Sequence, residues 1–163
     1  DRLDLSWSRQ EVVDAVIGHM TEMYRAGVPY RPGAIEAVDL AAEHYRVAVA
    51  SGSHPALIET VMADPVMTGK FEVVIAADEV GAGKPAPDVY LAAAERLGVE
   101  PTACVCLEDS GTGILSGVRA GMKVIAVPDP RFPPRPDFLV RAVRVLGSLS
   151  ELTLETLTQL GEG

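Results

Sequence analysis

The sequence has 163 residues, of which 48% are hydrophobic and 23% are charged. This is the size and composition of one globular domain. The net charge of −9 argues against binding to nucleic acid or to an anionic membrane surface, because both are also negatively charged. The sequence contains no run of 18 apolar residues, so no helix is predicted to span a bilayer. We also expect no secretory signal, since residues 1–30 show no basic segment followed by an apolar one. We expect a cytoplasmic protein, with a monomer as the default state.

The first 30 residues differ from the rest, because they show a helical pattern without a strand. Apolar residues recur at helical spacing over residues 9–26, which predicts an amphipathic helix. Ser8, followed three positions later by Glu11, matches a capping box at the start of this helix. Residues 1–30 are therefore predicted to belong to a separate lobe, and residues 31–163 to the main domain.

From residue 31 onward, short apolar strands alternate with helices. Helices are predicted at about 32–44, 55–63, 88–97, 113–120 and 149–160, and strands at about 47–50, 71–75, 104–107, 123–127 and 143–146. This alternation indicates an α/β fold, a three-layer Rossmann-like arrangement in which a parallel sheet has helices on both faces. Ligands in such folds bind beyond the carboxyl ends of the strands, so the residues that follow each strand are candidates for a site.

The first strand is followed by Ser-Gly-Ser-His at residues 51–54. The Ser51 hydroxyl and the Gly52 N–H group could hold an oxyanion at the start of the next helix. A simple helix-capping serine is the alternative. His54 has no acidic partner nearby in the sequence, and we expect it to be a surface histidine.

The second strand is followed by a long loop that contains Lys84 between a glycine and a proline. Glycine permits an unusual backbone approach, and the prolines at 85 and 87 restrict the chain around the lysine. The loop therefore holds Lys84 at the carboxyl edge of the sheet. The alternative is an ordinary solvated lysine.

Glu108 and Asp109 follow the third strand. Adjacent carboxylates repel each other unless a cation or a proton relieves the charge, and Mg²⁺ is a natural partner for hard oxygen ligands. The alternative is a capping Asp109 beside an exposed Glu108. A dinucleotide site is disfavoured, because the glycines over residues 111–117 do not have the G-x-G-x-x-G spacing.

Together these segments resemble the haloacid dehalogenase-like (HAD) hydrolase superfamily, in particular its phosphatase and β-phosphoglucomutase-like branch. The matching motifs are Val-Ala-Val-Ala-Ser-Gly-Ser at 47–53, Gly-Lys-Pro-Ala-Pro-Asp at 83–88, and Leu-Glu-Asp-Ser at 107–110 with the glycines after it. The resemblance covers about residues 30–150. It implies that residues 1–30 are the C-terminal part of a helical cap and that residues 31–163 form the core domain.

The resemblance also implies the site. Ser51, Gly52 and Lys84 would bind the transferring phosphoryl group, and Lys84 would also neutralise its charge. Lys84 and Ser51 would be the catalytic residues. Asp109 would bind Mg²⁺, with Glu108 as a second ligand or as an outer-shell acceptor. The implied function is a Mg²⁺-dependent phosphatase for a small phosphorylated metabolite. The alternatives are a β-phosphoglucomutase-like sugar phosphate mutase and an inactive fragment or pseudoenzyme.

The family's nucleophile motif, Asp-x-Asp-x-Thr or Val after a strand, does not occur in the 163 residues. We therefore expect the natural polypeptide to continue upstream and the present chain alone to be inactive. In the family, the strand that carries this motif lies at the centre of the sheet. Without it, the strands near residues 47 and 104 are predicted to share no neighbour.

Overall fold

The computed structural model describes residues 7–161. The helices are α1 (Arg9–Ala26), α2 (Ala34–His44), α3 (Pro55–Met62), α4 (Asp88–Leu97), α5 (Gly111–Arg119), α6 (Pro136–Leu139) and α7 (Leu154–Gly161). The strands are β1 (Ala48–Ser51), β2 (Val73–Ala76), β3 (Val105–Glu108), β4 (Lys123–Ala126) and β5 (Arg144–Val145). Helices and parallel strands alternate along the chain, which confirms the predicted α/β class.

Local capping explains where the predicted helices begin. The helix predicted from residue 113 starts at Gly111, because the Ser110 hydroxyl accepts a hydrogen bond from the Gly113 N–H group at 3.1 Å. The closing helix predicted over residues 149–160 is divided into a 3₁₀ turn, Leu149–Glu151, and α7. The division follows from a second cap, in which the Thr153 hydroxyl accepts from the Thr156 N–H group at 3.1 Å.

The strands of the described residues form two separate parallel sheets. β1 pairs with β2, and β4 pairs with both β3 and β5. β1 and β3 neither pair with each other nor share a neighbour within residues 7–161. This confirms the prediction for these two strands, and the carboxyl end of each strand is left beside the boundary between the sheets.

The core lies on both faces of β4. On one face, Val124 and Ala126 pack in a cluster that also contains Ile75 of β2 and buried residues of α4 and α5. On the other face, Ile125 packs with Leu157 of α7 and with part of α2. Each fully buried Val or Ile side chain contributes about 1.5–3 kcal/mol through apolar burial. The result is three layers, with helices on both sides of the larger sheet.

Helix α1 begins at the predicted capping box, in which Ser8 and Glu11 exchange side-chain and backbone hydrogen bonds. It has no buried residue and packs against α3. The segment after it is fastened to the core by Arg31, whose guanidinium donates to the backbone oxygens of Val127 and Pro128, both at 2.9 Å. No helix in the described part of the chain is long and apolar enough to cross a membrane.

Candidate functional site

The ammonium group of Lys84 joins the two sheets. Its Nζ donates to the Ala50 oxygen of β1 at 3.0 Å and to Glu108 Oε1 at the end of β3 at 2.5 Å. A third, longer hydrogen bond of 3.3 Å reaches the hydroxyl oxygen of Tyr90. Only 16% of the Lys84 side chain is exposed. The structure therefore places Lys84 at the carboxyl edge of both sheets, as predicted, and not on the solvated surface.

The Glu108 carboxylate is buried, with 6% of its side chain exposed. Oε1 accepts hydrogen bonds from Lys84 and from the Tyr90 hydroxyl, and Oε2 accepts from the Ser110 hydroxyl at 3.3 Å. A side chain at Gly113 would overlap this carboxylate, so the glycine provides the space that Glu108 fills. The buried charge is thus compensated by one cation and two hydroxyl donors, as a buried carboxylate requires.

Tyr90 is the site residue that the sequence analysis missed. It lies on α4, six positions after Lys84, and its side chain is buried. Its ring centroid lies 4.7 Å from Lys84 Nζ. Burial, followed by the charge of Glu108, raises the pKa of the Tyr90 phenol well above its ordinary value, so the hydroxyl stays protonated and donates a hydrogen bond to Glu108.

Asp109 differs sharply from its neighbour. It is exposed, and its carboxylate makes no hydrogen bond or ion pair with residues 7–161. The alternative of a capping Asp109 beside an exposed Glu108 is wrong, because Ser110 caps α5 and Glu108 is buried. In the described residues no group of three or more His, Cys, Asp or Glu could hold a metal. The oxygen donors of Asp109 and Glu108 suit Mg²⁺ chemically, but they form only part of a ligand set.

Ser51 ends β1 one residue after Ala50, whose carbonyl binds Lys84. Its hydroxyl accepts a hydrogen bond from the Ser53 N–H group at 3.1 Å, which shapes the turn around the exposed Gly52. Ser51 is not the cap of α3. That position belongs to His54, whose Nδ1 accepts from the Ala56 N–H group at 3.3 Å, and His54 is exposed as predicted.

The thiol of Cys106 lies beside this cluster on the buried face of β3. Burial raises its pKa to about 12, with a further contribution from Glu108. The group is therefore a neutral thiol at ordinary pH, and it does not supply a thiolate nucleophile. Both cysteines are free, and Cys106 is a core residue.

A cavity of about 480 Å³ lies at the same edge of the larger sheet, beyond β4 and β5. It is lined by the segment around Arg31, by the proline-rich loop from Asp129 to Arg131, and by Ser148. The Arg131 guanidinium donates hydrogen bonds to the Asp129 carboxylate and lowers its pKa to about 2. The proline-rich loop therefore borders this cavity.

A family model of haloacid dehalogenase-like hydrolases matches residues 5–121. The chain belongs to this family. Among curated relatives, hexitol phosphatase B of Escherichia coli K12 is 38% identical over 151 residues, which are 92% of this chain and 68% of the relative. Fructose-1-phosphate phosphatase YqaB of the same organism is 43% identical over 81 residues, which are 50% of this chain and 43% of the relative. These relatives place the HAD-like chain in the phosphatase branch.

Solved structures agree with this assignment. CbbY of Rhodobacter sphaeroides in complex with phosphate has a TM-score of 0.81 and 29% identity, covering 97% of this chain and 71% of that one. β-Phosphoglucomutase of Clostridium difficile has a TM-score of 0.73 and 22% identity, covering 96% of this chain and 70% of the other. The second likeness shows the fold alone, which is the Rossmann-like core of HAD hydrolases.

Proposed function

We propose that this HAD-like chain is the core of a Mg²⁺-dependent phosphatase that acts on a small phosphorylated sugar or sugar alcohol. Two relatives are named as phosphatases of a hexitol and of fructose 1-phosphate. A mutant of Rhodobacter sphaeroides CbbY, at a TM-score of 0.80 and 29% identity, was crystallised with xylulose-(1,5)bisphosphate. The compounds named for these three proteins are polyhydroxylated sugars or sugar alcohols or their phosphate esters, which supports this substrate class.

The position of Lys84 is the observation that carries the proposal. Its ammonium lies between the ends of β1 and β3, with contacts to Ala50 and Glu108. Phosphoryl transfer depends on positioning and on the neutralisation of charge. We propose that Lys84 neutralises the phosphoryl oxygens while the Ser51 hydroxyl and the Gly52 N–H group bind them at the neighbouring turn.

The two carboxylates receive different roles in this proposal. Asp109 is exposed and available for direct coordination of Mg²⁺, whereas both oxygens of Glu108 already accept hydrogen bonds. We therefore assign Asp109 as the direct ligand and Glu108 as an outer-shell residue that orients Lys84. A bound Mg²⁺ would withdraw charge from the phosphoryl group and hold it in line for attack.

The attacking carboxylate is proposed to come from outside residues 7–161. The boundary between β1 and β3 supports this, because the two strands end beside Lys84 without pairing with each other. A strand placed there would bring its last residues next to the proposed phosphate site. In the same proposal, residues 1–30 are the C-terminal part of a cap that controls access to the site.

The test measures the release of inorganic phosphate from a panel of hexose and hexitol phosphates, with and without Mg²⁺, by the natural polypeptide that contains this chain. We expect release that depends on Mg²⁺. Lys84→Ala is expected to lower kcat/KM by about 100-fold or more, the effect of losing one strong electrostatic contact to the transition state. Asp109→Asn is expected to raise the Mg²⁺ concentration needed for half-maximal activity.

Lys70→Ala is the matched control, because Lys70 is paired with Asp39 and takes no part in the site. Its activity is expected to equal that of the wild type. If no member of the panel releases phosphate in a Mg²⁺-dependent manner, the proposed function is wrong. An unchanged Mg²⁺ requirement in Asp109→Asn would overturn the metal assignment.

A further inference from the structure

We propose that Tyr90 is a positioning residue that holds the Lys84 ammonium group at the phosphate site through both its hydroxyl and its ring. The inference deepens the proposed function and rests on it, because positioning matters only where Lys84 binds phosphate. None of the matched motifs includes Tyr90. Its role is inferred from the contacts that it makes in the described structure.

The hydroxyl of Tyr90 closes a triangle with the two charged groups. Lys84 Nζ donates to the Tyr90 oxygen at 3.3 Å, and the Tyr90 O–H group donates to the Glu108 oxygen that also accepts from Lys84. A phenol can accept and donate at the same time, so it contacts both members of the ion pair. The ammonium is therefore fixed from two directions, and Glu108 cannot rotate without breaking the bond to Tyr90.

The Lys84 ammonium group has three N–H donors, and all three are in use. They reach Ala50, Glu108 and Tyr90. A phosphate oxygen must therefore replace one acceptor. The Tyr90 oxygen is the most distant of the three and is neutral, so it is the acceptor that exchanges at the lowest cost.

The ring keeps the ammonium in place after such an exchange. Its centroid lies 4.7 Å from Lys84 Nζ, within the range of a cation–π interaction. The ring itself is held firmly, because Tyr90 is buried on α4, and α4 packs against both β1 and β2. Tyr90 thus provides a resting acceptor for the lysine and a fixed wall beside it.

Site-resolved acetylation of the lysines tests the inference in the full chain, with acetic anhydride as the probe and peptide mass spectrometry as the readout. The chain has three lysines, at 70, 84 and 123, so two of them serve as internal references. Tyr90→Phe removes the hydroxyl but keeps the ring. It is expected to raise the labelling rate of Lys84 about 3- to 10-fold relative to the references, the factor that corresponds to one hydrogen bond. Tyr90→Leu, which also loses the ring, is expected to give a larger increase.

Tyr30→Phe is the matched control. The Tyr30 hydroxyl is also buried, but it lies beside Asp64 and is not among the groups that contact Lys84. Its removal is expected to leave the labelling of Lys84 unchanged. A general loss of structure would raise the labelling of all three lysines together, whereas the positioning role affects Lys84 alone.

An NMR measurement on the wild-type chain tests the inference independently of whether the variants fold. The side-chain ε-protons of Lys84 are expected to show an upfield NMR shift from the adjacent Tyr90 ring, which those of Lys70 and Lys123 lack. Lys84 signals at the reference position, or labelling of Lys84 in Tyr90→Phe equal to the wild type, would overturn the inference.

The inference and the proposed function fail differently. If Lys84→Ala leaves phosphatase activity intact, the proposed function is wrong, whatever the labelling shows. If Lys84 is required for activity but neither its labelling nor its NMR shift depends on Tyr90, the positioning role alone is wrong.

Discussion

The two sheets differ in how their strands are covered. In the larger sheet, β4 has a paired strand on each side, and Val124, Ile125 and Ala126 are at most 1% exposed. In the smaller sheet, every residue of β1 is only half-buried, and Val74 of β2 is exposed. The larger sheet has a core on both faces, whereas the smaller one shares a core on the α4 and α5 face only.

This difference makes the joint between the sheets important, by which we mean the contacts of Lys84 with Ala50 of β1 and Glu108 of β3. Within residues 7–161 no strand bridges β1 and β3, so the sheets are held together by the shared core and by the contacts of Lys84. Residues proposed for phosphate chemistry therefore also stabilise the fold. Substitutions can show whether these contacts contribute more to the free energy of unfolding than ordinary surface and core positions do.

The largest effect is expected for Glu108→Ala. It leaves the Lys84 ammonium, 16% exposed, without its carboxylate, and breaking such a buried pair costs about 3–5 kcal/mol. Urea unfolding is expected to show a loss of that order in the free energy of unfolding. Glu72→Ala is the control, because its ion pair with Arg46 is about half exposed and is worth less than about 1 kcal/mol. If both variants lose the same free energy of unfolding, the ion pair of Glu108 with Lys84 does not hold the two sheets together.

Gly113→Ala tests the space that Gly113 leaves for the Glu108 carboxylate. Its Cβ would overlap the Glu108 carboxylate, and overpacking of this kind costs about 1–3 kcal/mol. We expect a fall in Tm of about 2–4 °C for each kcal/mol lost, measured by calorimetry. Gly18→Ala in α1 is the matched control, because nothing lies near its added Cβ. That variant is expected to gain about 0.5–1 kcal/mol, and a Gly113→Ala variant that behaves like it would show that Glu108 moves freely.

A smaller effect compares the two cores. Ile75 lies in the shared cluster and Ile125 in the cluster of the larger sheet, and both are fully buried. Ile75→Val and Ile125→Val are each expected to cost about 0.5–1.5 kcal/mol in urea unfolding. Because the residues belong to different clusters, the double variant is expected to be additive within about 0.5 kcal/mol. Strong coupling would mean that the two faces form one core.

The smallest effect concerns the ion pair of Arg131 and Asp129 beyond β4. Hydrogen bonds from Arg131 lower the pKa of Asp129 from 3.8 to about 2, and Arg131→Ala is expected to return it towards 3.8 in an NMR titration. Because the folded pKa lies below the unfolded one, the pair stabilises the fold above about pH 4, and this contribution is lost as the pH falls towards 2. An unchanged pKa in Arg131→Ala would exclude Arg131 as its cause.

Most of the elements could be predicted from the sequence, because they depend on local patterns. The capping box at Ser8 and Glu11 and the alternation of strands and helices place most of them within about two residues of their observed bounds. Two helices are exceptions, because α7 begins at Leu154 instead of residue 149 and the short α6 was not predicted. The edge position of Lys84 was predictable for a similar reason, since it depends on a loop that follows a strand. The family was indicated by three motifs in register, and the comparisons confirm it.

The partners of Lys84 were harder to predict, since they come together only in the folded chain. Tyr90 has the spacing of an ordinary core aromatic on α4, and nothing local marks its hydroxyl as part of an ion-pair cluster. A signal did exist for Glu108. Side chains alternate along a strand, so the buried Cys106 places Glu108 on the same inner face. The adjacency of Glu108 and Asp109 in the sequence suggests one pair of carboxylates, whereas in the structure Glu108 is buried and Asp109 is exposed.

Arg31 has a consequence for movement of the first helix. Its two hydrogen bonds to Val127 and Pro128 tie the chain to the buried carboxyl end of β4, so residue 31 is a fixed point. Any swing of α1 relative to the core must therefore turn about residues 27–30, which begin with Gly27 at a φ of 152°. Because only four residues separate this fixed point from α1, and because α1 also packs against α3, the helix cannot tumble freely relative to the core.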